Sequence, residues 1–282
     1  MQINNTNYWV HDWSPFFIEF PENFLGLEGI RYYGLAYLLG FIAIGYFLKL
    51  CDKKGKIRIG AQDRSDLMTY IILGSLLGGR LGFVLLYDLK DLLANPLLFF
   101  RIDQGGMSSH GGMIGATLSG WLFCKKKKYS FLKLADCVTA IGPICLVLGR
   151  FANFINGELW GKISTVKWAI LFPHSPLSYS PLTNYFGIQP RHPSQLYALA
   201  TEGMLPLIYV QWRFWFTRTS SGQIFGEFLI LYSVMRIFNE IFREPDASLI
   251  LGLSRGQFYS FFMLIAGLII WKIAQKSELT VR

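Results

Sequence analysis

The stretch from Phe131 to Gly161 reads FLKLADCVTAIGPICLVLGRFANFINGELWG, and its reading decides the fold. The part from about 131 to 151 is apolar and long enough to cross a hydrocarbon core of roughly 30 Å as a helix. It ends on Arg150, followed by Asn153, Asn156 and Glu158. A cation in hydrocarbon costs roughly 2.5–3.5 kcal/mol on insertion scales, which makes an intramembrane arginine a functional candidate. Arg80, Arg236 and Arg243 also lie inside or beside apolar stretches. Several arginines kept at one end of the spans suggest an anion held there, and the anion native to a membrane is a lipid phosphate.

Outward from this stretch the pattern repeats. Spans are predicted at about 32–50, 66–87, 107–124, 131–151, 195–212, 223–242 and 256–273. The fold class is therefore an all-α polytopic membrane protein of seven transmembrane helices, with a small head outside the bilayer and an interfacial arm. Residues 1–30 form an N-terminal outer or interfacial segment rich in aromatics. Residues 31–151 hold helices one to four, with the arm at about 88–105. The head occupies 152–194, and residues 195–282 hold helices five to seven and a cytoplasmic tail. Gly74, Gly78 and Gly82, at four-residue spacing, predict a small-residue face for close helix contact.

Composition agrees. Of 282 residues, 52% are hydrophobic and 16% charged, below the roughly 25% charged of soluble domains. The mean hydropathy is +0.35. The net charge of +9 needs no nucleic acid, because the excess falls in short loops. Basic clusters follow spans one, three, five and seven, so the positive-inside rule puts those ends and the C-terminus in the cytoplasm. The N-terminus, the head and the Arg150, Arg236 and Arg243 helix ends then face the outside. The first thirty residues carry no lysine or arginine, and no cleavable signal peptide is predicted. Cys51, Cys124, Cys137 and Cys145 form no CxxC and read as packing residues.

Polar groups gather at one membrane level. Arg150, Asn153 and Gly157 share a face if their helix continues. Tyr232, Arg236, Glu240 and Arg243 form a stripe on span six, broken at Pro245. Spans three, one and five open with Ser108-Ser109-His110-Gly111-Gly112, Arg31-Tyr32-Tyr33-Gly34 and Arg191-His192-Pro193-Ser194-Gln195-Leu196-Tyr197. Each group has a plainer reading. Arg236 and Glu240 fit a structural i,i+4 pair, His110 a helix start, and Gly111-Gly112 close packing. Arg80 fits a structural tie or a substrate contact equally. Glu202, inside span five, is read as structural, neutral or paired. Convergence on one face favours function, because structural accidents would scatter between faces.

Forked, permanently charged arginines suit a phosphate, and a histidine accepts a proton near neutral pH. No HExxH, cysteine-rich or aspartate-rich metal pattern and no GxSxG elbow occurs, so no metal or other cofactor is expected. The chemistry indicated is transfer from a lipid whose leaving group is a phosphate. The rival class is a lipid or anionic-solute membrane transporter, which would want polar groups through the membrane depth.

The run Gly-Arg-x-Ala-Asn-Phe-Ile-Asn-x-Glu-x-x-Gly at 149–161 closely resembles the signature of the prolipoprotein diacylglyceryl transferase family. His110-Gly111-Gly112, Arg191 to Tyr197, Phe242-Arg243-Glu244-Pro245-Asp246 and Ile30 to Gly34 resemble that family's other blocks, in its order, from about residue 28 to 273. The resemblance implies an enzyme of the bacterial cell inner membrane, active toward the periplasmic leaflet. It would transfer the diacylglyceryl group of phosphatidylglycerol to the lipobox cysteine thiol of a prolipoprotein. A thioether forms and glycerol phosphate leaves, the first step of lipoprotein maturation. It further implies that Arg150 and Arg236 hold the phosphate and that His110 is the base for the thiol. Asn153, Glu158, Gly161 and Arg243 would shape the head-group site, with Tyr33 and Tyr232 lining it and Glu240 orienting Arg236.

Overall fold

The computed structural model of the chain describes residues 8–21, 28–87, 89–100, 106–245 and 248–279. Residues 22–27 of the N-terminal segment, 101–105 of the expected arm, Asp246 of the Phe242–Asp246 block and Arg282 of the tail lie outside the described residues.

The protein is mostly helical and its helices are those of a membrane protein. Four are long and apolar enough to cross a bilayer: Tyr32–Lys53, Ala61–Leu85, Phe131–Ile155 and Arg255–Lys276. The first is α1 (Tyr32–Lys53), the second lies in α2 (Ala61–Tyr87), and a short α3 (Leu89–Ala94) and a 3-10 turn (Pro96–Phe100) follow. Next come α4 (Ser109–Lys127), α5 (Phe131–Ile141) and α6 (Pro143–Ile155). The predicted fourth span is thus divided at Gly142, where Pro143 lacks the N–H that would continue the ladder. The predicted fifth span is divided too, into α7 (Ser194–Ala198), a π-helical turn (Leu199–Met204) and α8 (Leu205–Phe216). Pro206 cannot donate to the Glu202 carbonyl, and π turns of this kind occur often at functional sites. The last helices are α9 (Gln223–Asn239) and α10 (Arg255–Leu279).

The chain divides into two compact units, residues 1–43 with 139–282, and residues 44–138. In the smaller unit, α2 and α4 pack through the expected glycine face. A Cβ on Gly78 would lie 2.4 Å from the Gly111 carbonyl oxygen, and one on Gly115 would lie 2.0 Å from that of Gly74. Only glycines allow that approach. Arg80 serves this unit's backbone: its Nε donates to the Phe99 carbonyl at 2.9 Å and its Nη1 to that of Gly106 at 3.2 Å.

In the larger unit, short strands form a small β region, where the sequence places the head. β1 (Trp9–Val10) pairs in parallel with β4 (Ile170–Leu171), which pairs antiparallel with β7 (Pro190–Arg191). β2 (Phe16–Glu19) and β3 (Gly29–Arg31) form one hairpin, and β5 (Ser178–Ser180) and β6 (Tyr185–Gly187) another. Phe154, Ile170 and Phe172 form the head's core, with Trp160 and Leu196 against it. The N-terminal segment is therefore stitched into the same sheet as residues far along the chain.

Candidate active site

The site is built around a carboxylate that was expected to be structural. Glu202, on the π turn, is wholly buried. Arg150, on α6, donates to Glu202 Oε2 twice, from Nη2 at 2.7 Å and Nε at 3.2 Å. The other oxygen, Oε1, accepts from Asn239 Nδ2 at 3.0 Å and faces Arg236 Nη1 at 3.6 Å. Asn239 also donates to Thr201 Oγ1 at 2.6 Å. Arg236 forms an ion pair one turn along α9 with Glu240, as expected from the spacing. Two cations and two anions thus neutralise each other in a buried setting, where an unpaired charge would be destabilising by several kcal/mol.

Glycines make these contacts possible. A Cβ on Gly203 would lie 2.8 Å from Val147 Cγ2, so glycine lets the π turn press against α6 and bring Glu202 to Arg150. A Cβ on Gly256 would lie 2.5 Å from Arg236 Nη2 and 2.6 Å from Glu240 Oε1, so the start of α10 must be bare there.

A second network adjoins the first. Tyr33 donates to Glu158 and accepts from Asn153, and Asn153 Nδ2 also reaches Glu158 Oε1 at 2.9 Å. Tyr33 lies within electrostatic reach of Arg150. Tyr232 is buried within reach of Glu202, Arg150, Arg236 and Arg243. A cavity of about 10 Å³ among Arg150, Gln195, Glu202, Arg236, Asn239 and Arg243 has room for roughly one water.

Two sequence expectations about geometry need correction. α6 ends at Ile155, and Gly157 turns left-handed (φ 61°), so positions 150, 153 and 157 do not share a continuing helix face. The turn instead carries Glu158 back toward Asn153, whose carbonyl accepts from the Glu158 N–H at 3.2 Å. Likewise α9 ends at Asn239 with Glu240 as its cap, before Pro245. Arg243 therefore leaves the expected stripe and pairs through its backbone with Gly161. A Cβ on Gly161 would lie 2.5 Å from the His192 carbonyl oxygen and 2.6 Å from that of Phe242, so this glycine works by permitting a backbone crossing.

The Arg191–Tyr197 block braces the turn. Gln195 Nε2 donates to the Glu158 carbonyl at 2.6 Å and Ser194 Oγ to that of Leu159 at 2.9 Å. Arg191 Nη1 donates to the Gly161 carbonyl at 3.1 Å and to Glu244 Oε2 at 3.3 Å. Burial lowers the pKa of Arg191 from its ordinary value, opposed by Glu244, and lowers that of His192. His110 is half-buried on the first turn of α4, in the unit of residues 44–138, whereas the arginine cluster lies within the other unit.

Glu202, Asn239, Gly203 and Gly256 were not among the expected site residues. The one sequence signal for Glu202 was its carboxylate in an apolar run, which demands a partner.

A family model described as prolipoprotein diacylglyceryl transferase matches residues 23–273. Among curated relatives, a phosphatidylglycerol–prolipoprotein diacylglyceryl transferase of Rhodospirillum rubrum is 39% identical over 261 residues, covering 90% of this chain and 91% of the relative. One of Neisseria meningitidis is 41% identical over 261 residues, covering 87% and 92%. One of Legionella pneumophila is 39% identical over 254 residues, covering 88% and 93%. With the likeness running through nearly the whole length, the chain belongs to the prolipoprotein diacylglyceryl transferase family.

Proposed function

We propose that the arginine cluster carries the transfer chemistry named by these relatives. The protein is a transferase of lipoprotein maturation. It moves the diacylglyceryl group of phosphatidylglycerol to the thiol of a prolipoprotein cysteine, making a thioether and releasing glycerol phosphate. In the finer reading, the cysteine lies in a lipobox and seven helices span the bacterial inner membrane. The amino terminus and head are then periplasmic, an orientation supported by the four basic clusters on the opposite side.

The observation that carries this reading is the meeting of Arg150 and Arg236, from two helices, on the two oxygens of buried Glu202. A phosphodiester bears the same single negative charge as that carboxylate and presents oxygens to the same planar forks. Lipid phosphate competes with Glu202 for the arginines, and binding opens the network. The thiol sulfur then attacks the diacylglyceryl carbon that bears the phosphate. The carbon–oxygen bond breaks, and the electron pair leaves on the phosphate of glycerol phosphate, stabilised by both guanidinium groups. A free cysteine thiol has a pKa near 8.5, so a base is needed at neutral pH, and His110 is assigned that role. Tyr33, Asn153 and Glu158 shape the head-group site, with Gly161 and Arg243 fixing the crossing beneath it. Tyr232 lines the site and Glu240 orients Arg236.

The test supplies membranes containing this chain with phosphatidylglycerol and a lipobox peptide. The expected result is a peptide heavier by one diacylglyceryl group, with glycerol phosphate released. Absence of product while a known transferase works alongside would overturn the reading, and movement of lipid without covalent product would indicate a transporter.

A further inference from the structure

A second cavity, of about 420 Å³, opens in the head and, among the described residues, shares only Glu158 with the site above. His11, Asp12 and Trp13 from the segment after β1, Asn156 and Glu158 from the turn after α6, and His174 form its wall. Its size falls among ligand pockets, which run from roughly 300 to 1,000 Å³. Two wall residues carry a buried polar atom with no hydrogen-bond partner among the described residues: Nε2 of His11 and Oδ1 of Asn156. Such atoms are costly to leave unsatisfied, by about 1–3 kcal/mol each.

The chemistry of the wall is that of an acceptor. The His11 ring lies beside the backbone carbonyls of Phe154 and of His11 itself. A neutral ring whose Nδ1–H faces a carbonyl keeps Nε2 as its acceptor. His11 is 4% exposed, and its burial favours the neutral ring, leaving Nε2 a lone-pair acceptor. Asn156 Oδ1 and the carboxylates of Asp12 and Glu158 add further acceptors. Arg31 is the one arginine or lysine among the described wall residues, and its Nη2 is turned to Glu28 at 2.8 Å. Two carboxylates against one engaged cation disfavour a phosphate and favour a ligand rich in N–H groups.

Position narrows the ligand further. Glu158 belongs both to this wall and to the Tyr33–Asn153 network, and Tyr33 lies within reach of Arg150. A cysteine sulfur delivered beside Arg150 brings its adjoining chain to this cavity. In the transferase reading that cysteine belongs to a prolipoprotein, so a polypeptide chain comes with the sulfur. An extended polypeptide offers N–H groups along its length at about 3.3 Å per residue.

We propose that this cavity binds the main chain of the acceptor polypeptide just after its cysteine, with Asn156 and His11 accepting its N–H groups and Trp13 packing against it. The proposal rests on the transferase reading of the arginine site. Both atoms are closed off from solvent in the resting protein, so binding requires the two side chains to turn toward the cavity.

The experiment uses the full-length enzyme and two synthetic lipobox peptides, one ending at the cysteine and one continuing six residues beyond it. For wild type, the longer peptide is expected to show a KM lower by about tenfold. Trp13→Ala and Asn156→Ala are expected to abolish that advantage, raising KM for the longer peptide and leaving kcat and the KM for phosphatidylglycerol in place. Trp13 is partly exposed, so its truncation tests the wall without emptying a core. Equal KM values for the two peptides in wild type would overturn the proposal while leaving the transferase reading intact. A variant-induced rise in KM for phosphatidylglycerol would also overturn it, by placing a lipid head group in the cavity. No product with either peptide would instead remove the transferase reading itself.

Discussion

Arg150 directs two N–H groups from a different helix onto one oxygen of wholly buried Glu202, at 2.7 and 3.2 Å. The other oxygen is shared by Asn239 and Arg236. The resting protein thus holds its two principal cations on an internal anion, and each consequence below follows from that pairing or from the network beside it.

Glu202→Gln removes the charge that separates two buried guanidinium groups. Breaking a buried pair typically costs 3–5 kcal/mol, so the variant melts at a lower temperature in detergent. Phosphatidylglycerol, supplying a replacement anion, restores more stability to the variant than to wild type. Melting curves with and without the lipid check this, and equal lipid effects on both proteins would count against it.

Arg236→Lys keeps charge but loses the planar guanidinium whose Nη1 faces both Glu202 and Glu240. Turnover is expected to fall at least tenfold, about 1.4 kcal/mol. Unchanged turnover would show that a point charge suffices.

Tyr33→Phe deletes the hydroxyl between Asn153 and Glu158 and leaves both polar groups short of a partner. A loss of about 1–3 kcal/mol is expected in kcat/KM, roughly ten- to hundredfold. Steady-state kinetics at varied phosphatidylglycerol concentration measure it.

Gly256→Ala would set a methyl 2.5 Å from Arg236 Nη2, so Arg236 and Glu240 must shift to admit it. Activity is expected to fall far more than for Gly120→Ala, a helical glycine with open space around it. Similar behaviour of the two variants would show that Arg236 can shift without penalty.

Burial lowers the pKa of both His11 and His192. Below the ordinary value near 6.5, the unfolded chain takes up protons that the folded head resists. Stability contributed by these groups is present above that pH and is lost as pH falls through the lowered folded values. The melting temperature should drop between pH 7 and 5, with a shallower slope in His11→Phe. An identical slope in that variant would exclude His11 as a source.

Much of this site is legible in the sequence because the groups are costly. Arg150 and Arg236 stand out in apolar runs, and the glycine spacing of α2 foretells its contact with α4. Glu202 is equally costly, yet its arginine partner on α6 is 52 positions away, a separation that no local pattern encodes. The stripe through Arg243 assumed that a helix persists until proline stops it. Here α9 ends earlier, and backbone pairing with Gly161 carries the chain away. The head strands are two to four residues long, too short for a period-two signal, and β1 finds its partner only through the tertiary fold.

The most direct test is an experimental structure of the protein with phosphatidylglycerol bound. The account predicts lipid phosphate oxygens about 3 Å from guanidinium nitrogens of both Arg150 and Arg236, with the Glu202 pairing loosened. A phosphate held away from either arginine, with both still closed on Glu202, would contradict it.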